Sequence, residues 1–134
     1  MGQEVITGQE YLRLIGRKNK RKSKYNNQRV TVDGYTFDSK MEAEYYHQLK
    51  LRKRANDIKD FKLQPRYLLQ ESFSKDAKRY NKIEYVADFE IIHNDGTIEV
   101  IDVKGVRTQV FNIKKKMFHK RYPHKLTLIS REDI

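Results

Sequence analysis

The chain has 134 residues, of which 37% are hydrophobic and 35% are charged, a composition that suits one compact domain with a heavily ionic surface. Lys and Arg outnumber Asp and Glu by 29 to 18, and the net charge of +11 favours a polyanionic partner such as nucleic acid. The absence of cysteine excludes disulfides and thiolate-bound zinc, and no apolar run reaches the ~20 residues of a membrane helix.

The first 28 residues carry a run of basic side chains without apolar periodicity. Residues 1–16 lack the apolar core of a signal peptide, so we expect an intracellular protein. A block of like charge is usually disordered in isolation. We interpret it either as an arm that lies along a phosphate backbone, ordered by DNA or by a partner subunit, or as a solubilising tail. The candidate phosphate-binding residues of this arm are Arg17, Lys18, Lys20, Arg21, Lys22 and Lys24.

A hairpin and then a helix are predicted next. Residues 30–37 are predicted to turn at Asp33-Gly34, and the helix to run from about residue 40 to residue 55. Ser39, followed by Glu42 three residues later, forms a capping box, which by itself accounts for Glu42. Glu42 also borders the apolar stripe of the helix, so it should point toward the sheet. Capping alone and metal binding both stay open for Glu42 at this point.

The middle of the chain contains one clear strand and one polar segment. Pro65 biases Gln64 toward extended geometry, and residues 66–70 have the composition of a strand. Residues 72–82 are polar and basic, which predicts a mobile loop. Because loops often carry function, a basic loop would fit a nucleic-acid surface.

Residues 85–104 are predicted to form the central hairpin, with two apolar, β-branched runs flanking Asn94-Asp95-Gly96. Asp88, Asp102 and Lys104 occupy positions where such apolar strands should carry Val or Ile. Burying a carboxylate is costly unless it has a partner or an ion. A Mg²⁺-class cation held by the two aspartates, with Lys104 beside it, satisfies all three residues. The alternative is a structural ion pair between Lys104 and either aspartate.

The geometry of this hairpin depends on the length of its loop. A three-residue loop pairs His93 with Thr97 and places Asp88 opposite Asp102. A two-residue loop pairs Asp88 with Val103 and turns the two aspartates to opposite faces of the sheet. The metal-site hypothesis therefore requires the odd-length loop, or a bulge that restores the register.

The C-terminal part predicts a strand–helix–strand crossover. After a turn at residues 105–108, a helix is predicted over residues 108–122, followed by a strand at residues 126–129. Lys114 and Lys115 belong to the basic residues of this helix and are candidate nucleic-acid contacts. The crossover implies a parallel strand pair, whereas the central hairpin is antiparallel. We therefore expect an α/β fold, with helices packed on a mixed sheet, over residues 29–134.

At these residues the chain resembles the PD-(D/E)XK nuclease superfamily. Ala87-Asp88 stands for the Pro-Asp element, and Asp102-Val103-Lys104 for the (D/E)XK element. Glu42, within F-D-S-K-M-E, matches the acidic residue that many members carry on the first core helix. The chain departs from the pattern in having Ala before Asp88 and Asp rather than Glu at position 102. The resemblance covers residues 37–129 and implies a restriction-endonuclease-like αβββαβ core.

Within that superfamily the chain looks closest to small phage and prophage proteins that are similar to Holliday-junction-resolving endonucleases. The matching pieces are F-D-S-K-M-E, L-Q-P, Y-V-A-D-F and D-V-K-G-V-R-T. The resemblance implies a Mg²⁺ or Mn²⁺ site and a catalytic lysine at Lys104. The implied ligands are Glu42, Asp88, Asp102 and the Val103 carbonyl. Gln64 and Thr108 would be accessory residues near the scissile phosphate.

The expected function is a Mg²⁺-dependent DNA endonuclease that is selective for branched DNA, such as a Holliday junction, in phage recombination or replication. Junction resolution needs two cuts related by symmetry, so a homodimer in the host cytoplasm is expected. Two alternatives stay open. One is a module of the same fold that binds nucleic acid without cutting it, and the other is an RNA-processing nuclease.

Overall fold

The computed structural model describes residues 28–103 and 107–133. These residues form a mixed α/β structure with two α-helices and several sheets, one of which is mixed, in agreement with the predicted fold class. The basic arm, apart from its last residue, and Lys104 lie outside the described residues. Neither helix within the described ranges has the length and apolar character needed to cross a membrane.

The first elements follow the sequence closely. Strands β1 (Val30–Val32) and β2 (Tyr35–Phe37) pair antiparallel around Asp33-Gly34. Both turn residues have positive φ, 55° and 84°, as a two-residue type I′ turn requires. Helix α1 (Lys40–Arg54) begins after Ser39, whose hydroxyl oxygen accepts a hydrogen bond from the Glu42 N–H at 3.1 Å. The predicted cap is therefore present.

Two later segments of the chain are each divided into two strands by a short break. Strand β3 (Asp60–Leu63) is followed after a break by β4 (Arg66–Gln70), and β7 (Ile83–Val86) is likewise followed by β8 (Phe89–Ile92). β3 pairs with β8 and β4 pairs with β7, all antiparallel, so the two breaks lie side by side. The prediction of one continuous strand from residue 85 is thus wrong. The strand changes partner at Ala87-Asp88, a long-range effect that local composition does not encode.

The first of these breaks also corrects the prediction for Gln64. Its φ is +48°, in the left-handed region, rather than extended as the following proline would favour. The Gln64 N–H donates to the Asp88 carbonyl at 2.9 Å, and the Ala87 N–H donates to the Pro65 carbonyl at 3.1 Å. These two hydrogen bonds connect the break at Gln64 to the break at Asp88. They join segments that are far apart in the sequence, and they override the extended backbone that the following proline favours at Gln64.

Strand β9 (Ile98–Val103) completes the central hairpin with β8, and helix α2 (Gln109–Arg121) leads to β10 (Lys125–Ile129). β10 pairs parallel with β9, as the crossover predicts. The resulting four-stranded sheet has the order β10-β9-β8-β3. Together with the helices, these strands follow the chain order helix, three strands, helix, strand.

Residues 72–82 form a hairpin instead of the predicted mobile loop. Strands β5 (Phe73–Lys75) and β6 (Lys78–Tyr80) pair antiparallel. Elsewhere, a one-turn 3-10 helix (Arg131–Asp133) ends the described part of the chain. The turn residues Asp76 and Ala77 have φ of 49° and 62°. A hairpin turn whose two central residues have positive φ usually contains Gly or Asn, so the sequence did not predict a hairpin here.

The core divides between the two faces of the central sheet. Ile101 and Val103 of β9 belong to a cluster that includes Tyr45 and Leu49 of α1. Val100, which precedes Ile101 on the same strand, belongs to a second cluster, which includes Phe118 of α2. Alternating residues of one strand thus face different helices, and the central sheet lies between α1 and α2.

Candidate functional site

The loop of the central hairpin has the odd length that the metal-site hypothesis requires. Ile92 pairs with Ile98, and the His93 N–H donates to the Thr97 carbonyl at 2.9 Å, which leaves a three-residue loop. The Asp95 carboxylate accepts from the Thr97 N–H at 2.9 Å and stabilises this loop. The regular pairing ends with Phe89 opposite Ile101, and the ladder becomes irregular at Asp88, which still lies next to Asp102. The two-residue alternative is therefore wrong.

Asp88 lies at the break between β7 and β8, and its carboxylate is surrounded by other acidic groups. Its N–H donates to the Ile101 carbonyl at 3.0 Å, and its Oδ2 accepts from the Val103 N–H at 2.6 Å. Burial raises the pKa of Asp88 to about 8, with further contributions from the negative charges of Glu42 and then Asp102. The Val103 hydrogen bond opposes this rise. Without a cation, burial and the neighbouring negative charges therefore favour the protonated form of the Asp88 carboxyl.

Glu42 reaches the same region from α1. It is 3% exposed and is the only charged side chain that is fully buried among the described residues. Glu42, Gln64 and Asp88 line one cleft of about 360 Å³. The other lining residues come from the β1–β2 hairpin and from β3: Gly34, Tyr35, Thr36, Phe37 and Leu63. The backbone N–H of Glu42 thus takes part in the helix cap, while its side chain lines the same cleft as Asp88.

Asp102 is oriented by a tyrosine that the sequence did not single out. Its Oδ2 accepts from the Tyr85 hydroxyl at 2.6 Å, and Tyr85 is 3% exposed. Burial, followed by the hydrogen bond to Asp102, raises the pKa of Tyr85, so the phenol stays protonated and remains a donor. Tyr85 lies three residues before Asp88 in an apolar run, where an aromatic residue is ordinary, so only the fold marks it.

The donor set is suitable for a hard cation. Glu42, Asp88 and Asp102 offer carboxylate oxygens, which Mg²⁺ and Mn²⁺ prefer, and their mutual repulsion would be relieved by a divalent charge. Within residues 28–103 and 107–133, no three acidic or histidine side chains stand close enough together to hold an ion as they are. Binding would therefore require the carboxylates to adjust around the ion.

The remaining predicted residues fall into four groups. Gln64 lines the cleft, as described above. Thr108 is exposed and caps α2, where its hydroxyl oxygen accepts from the Phe111 N–H at 3.0 Å. Nothing in the described residues links Thr108 to the carboxylates. Lys114 and Lys115 are half-buried on α2, while Lys104 and the basic residues of the arm lie outside the described ranges.

Comparison with known proteins gives a family without an assigned activity. No curated protein matches the chain. A sequence model of a protein family, described as "Protein of unknown function (DUF1064)", matches residues 22–133. The match takes in both helices, all ten strands described above and the three acidic residues of the cleft. The chain therefore belongs to the DUF1064 family of proteins of unknown function.

Proposed function

We propose that this chain is a Mg²⁺- or Mn²⁺-dependent DNA endonuclease with a PD-(D/E)XK-type site on a restriction-endonuclease-like core. One observation carries the proposal: the buried carboxylate of Asp88 lies beside those of Asp102, from strand β9, and Glu42, from helix α1. Three acidic side chains from three elements raise the free energy of the folded chain unless a cation offsets their charge. The chain order helix, three strands, helix, strand agrees with that core and supports the proposal.

In this proposal the ligands are the carboxylates of Glu42, Asp88 and Asp102 and the carbonyl of Val103. A divalent cation there would supply Lewis-acid polarisation of the scissile phosphodiester. We assign to Lys104 the orientation of the attacking water and the stabilisation of negative charge on the phosphate. Tyr85 would hold the Asp102 carboxylate in a fixed orientation.

The proposed substrate is DNA, in branched form, bound by a homodimer in the host cytoplasm. The net charge of +11 supports a polyanionic substrate, since each phosphate neutralised by Lys or Arg releases condensed counterions. Two symmetric cuts at a four-way junction require two sites related by a twofold axis, which a homodimer provides.

The test is a cleavage assay on four labelled substrates: a four-way junction, its constituent linear duplex, a single strand and an RNA of equal length. We expect Mg²⁺-dependent cleavage of the junction by the wild type. Asp102→Asn and Glu42→Gln should each lower the rate by at least ~100-fold, because each removes a carboxylate from the site.

Matched controls separate loss of the site from loss of charge. Glu44→Gln changes the same residue type on the exposed side of α1, and Asp57→Asn removes an exposed aspartate that is outside the cleft. Both controls should cut like the wild type. Binding without any cleavage would favour the non-cutting module, and cleavage of RNA alone would favour the RNA-processing nuclease.

A further inference from the structure

The β5–β6 hairpin exposes two aromatic rings that share one face. Phe73 and Tyr80 pair directly across the hairpin, with ring centroids 4.9 Å apart and planes inclined by 16°. Phe73 is 44% exposed and Tyr80 is 40% exposed. A cross-strand aromatic pair stabilises a hairpin, and this accounts for the contact between the rings. The Lys78 ammonium lies 5.3 Å from the centroid of the Tyr80 ring, a cation–π contact within the hairpin. Neither contact accounts for the area that both rings expose to solvent.

The same face carries two lysines. Lys75 pairs directly with Lys78, two residues along each strand from the aromatic pair, so all four side chains project to one side. Like charges directly opposite each other destabilise a strand pair. No carboxylate of the described residues forms an ion pair with Lys75, Lys78 or the neighbouring Arg79. An external anion would relieve this repulsion.

We propose that this face of the β5–β6 hairpin binds an unpaired nucleic-acid strand, with a base stacked on the Phe73–Tyr80 pair and phosphates on Lys75 and Lys78. Exposed rings stack on any base that presents its face. Bases inside a duplex are already stacked on each other, so the rings favour unpaired strands. The lysines add a backbone contact that does not depend on sequence.

The position of the hairpin links this surface to the candidate site. β5 and β6 extend the β4–β7 pair at the end remote from the breaks at Gln64 and Asp88. The chain from Gln64 to Phe73 spans at most ~30 Å, which is about nine nucleotides at 3.4 Å each. One unpaired strand could therefore contact both places. As a statement about substrate choice this inference rests on the proposed function; as a binding surface it stands alone.

The test measures binding by fluorescence anisotropy, with the full chain in EDTA so that no cleavage occurs. The probes are a labelled 20-nucleotide single strand and a blunt duplex of the same sequence. We expect Phe73→Leu with Tyr80→Leu to weaken single-strand binding by at least ~10-fold, the effect of losing one stacked base, and duplex binding by less than ~3-fold. Tyr80→Phe, which keeps the ring, should bind like the wild type.

A second pair of variants tests the charge. Lys75→Gln with Lys78→Gln should lower the slope of log affinity against log salt for the single strand by ~1.4, or ~0.7 per phosphate contact. The control, Lys40→Gln with Lys59→Gln, removes the same charge at exposed positions away from the hairpin and should leave more of the slope intact. Equal decreases of the slope in the two double variants would contradict a local phosphate contact.

Three outcomes would overturn the inference. The first is a leucine variant that binds the single strand as well as the wild type does, and the second is an equal decrease of its single-strand and duplex affinities. The third is a leucine variant whose oligomeric state, measured by sedimentation, differs from that of the wild type, which would assign the rings to self-association. Failure of the proposed function can be distinguished from failure of this inference. A wild type that cuts nothing in Mg²⁺ but binds single strands through the hairpin refutes the nuclease and leaves this surface in place.

Discussion

At the scale of single residues, Asp88 dominates the electrostatics of the cleft. Its carboxylate is buried beside Glu42 and Asp102, and its pKa of about 8 exceeds the 3.8 of a free aspartate. Between pH 4 and pH 8, the folded chain therefore holds a proton that the unfolded chain has already released. Stability from this source is fully present below pH 4 and is lost as the pH rises through 8.

This difference predicts how the metal-free protein responds to pH. Between pH 5 and pH 8.5 in EDTA, the free energy of unfolding should fall more steeply for the wild type than for Asp88→Asn, because the amide does not titrate. Urea unfolding at several pH values measures both slopes, and Asp57→Asn serves as the exposed control. Parallel slopes for the wild type and Asp88→Asn would contradict the raised pKa.

Tyr85 provides the second prediction at this scale. Tyr85→Phe removes the hydroxyl that donates to Asp102, so we expect cleavage to need a ~10-fold higher metal concentration, with an unchanged KM for DNA. The matched control is Tyr67→Phe: the Tyr67 ring stacks near Tyr85, and its hydroxyl donates to Glu90 at 2.5 Å. If both variants shifted the metal titration alike, Tyr85 would be a packing residue and not a positioning residue.

At the scale of elements, the breaks between β3 and β4 and between β7 and β8 place Asp88 in the cleft. The break at Gln64 puts a side chain in the left-handed region, at φ +48°, which costs a residue other than glycine of the order of 1 kcal/mol. Gln64→Gly should therefore be at least as stable as the wild type. Gln64→Val should lose about 1–2 kcal/mol, because a β-branched residue fits this region poorly.

The same variants test whether the Gln64 amide contributes to the site. If it does, Gln64→Gly should cut more slowly than the wild type although its urea unfolding midpoint is retained. Wild-type cleavage by Gln64→Gly would limit the role of Gln64 to shaping the bend.

The elements also show which local signals were sufficient. The cap at Ser39, the presence of a turn at Asn94-Asp95-Gly96 (although not its length) and the crossover helix were all predictable, because each depends on contacts between residues close in the chain. The β5–β6 hairpin and the bend at Gln64 were predicted incorrectly. Both depend on strand pairing, which overrides the local preferences of Asp76, Ala77 and Gln64.

At the scale of the whole molecule, the charge of +11 predicts strongly salt-dependent binding to nucleic acid. Deleting residues 1–27 removes the basic run from Arg17 to Lys24. This should weaken duplex binding and lower the salt slope by ~0.9 for each phosphate that the shortened chain no longer neutralises. Deleting residues 1–16 keeps that run and is the control. An unchanged slope after the longer deletion would make the arm a solubilising tail.

The sequence by itself determined the candidate chemistry of this protein: two aspartates and a lysine in apolar runs, a capping glutamate and a large excess of positive charge. It also limited the hairpin to two registers. Only the tertiary structure decided between them, brought Glu42 to Asp88 and supplied Tyr85 to Asp102. The physical reason is range. Caps and turns depend on neighbours in the chain, whereas the side of the sheet on which a carboxylate lies, and what it meets there, depends on strands and helices that are far apart in sequence.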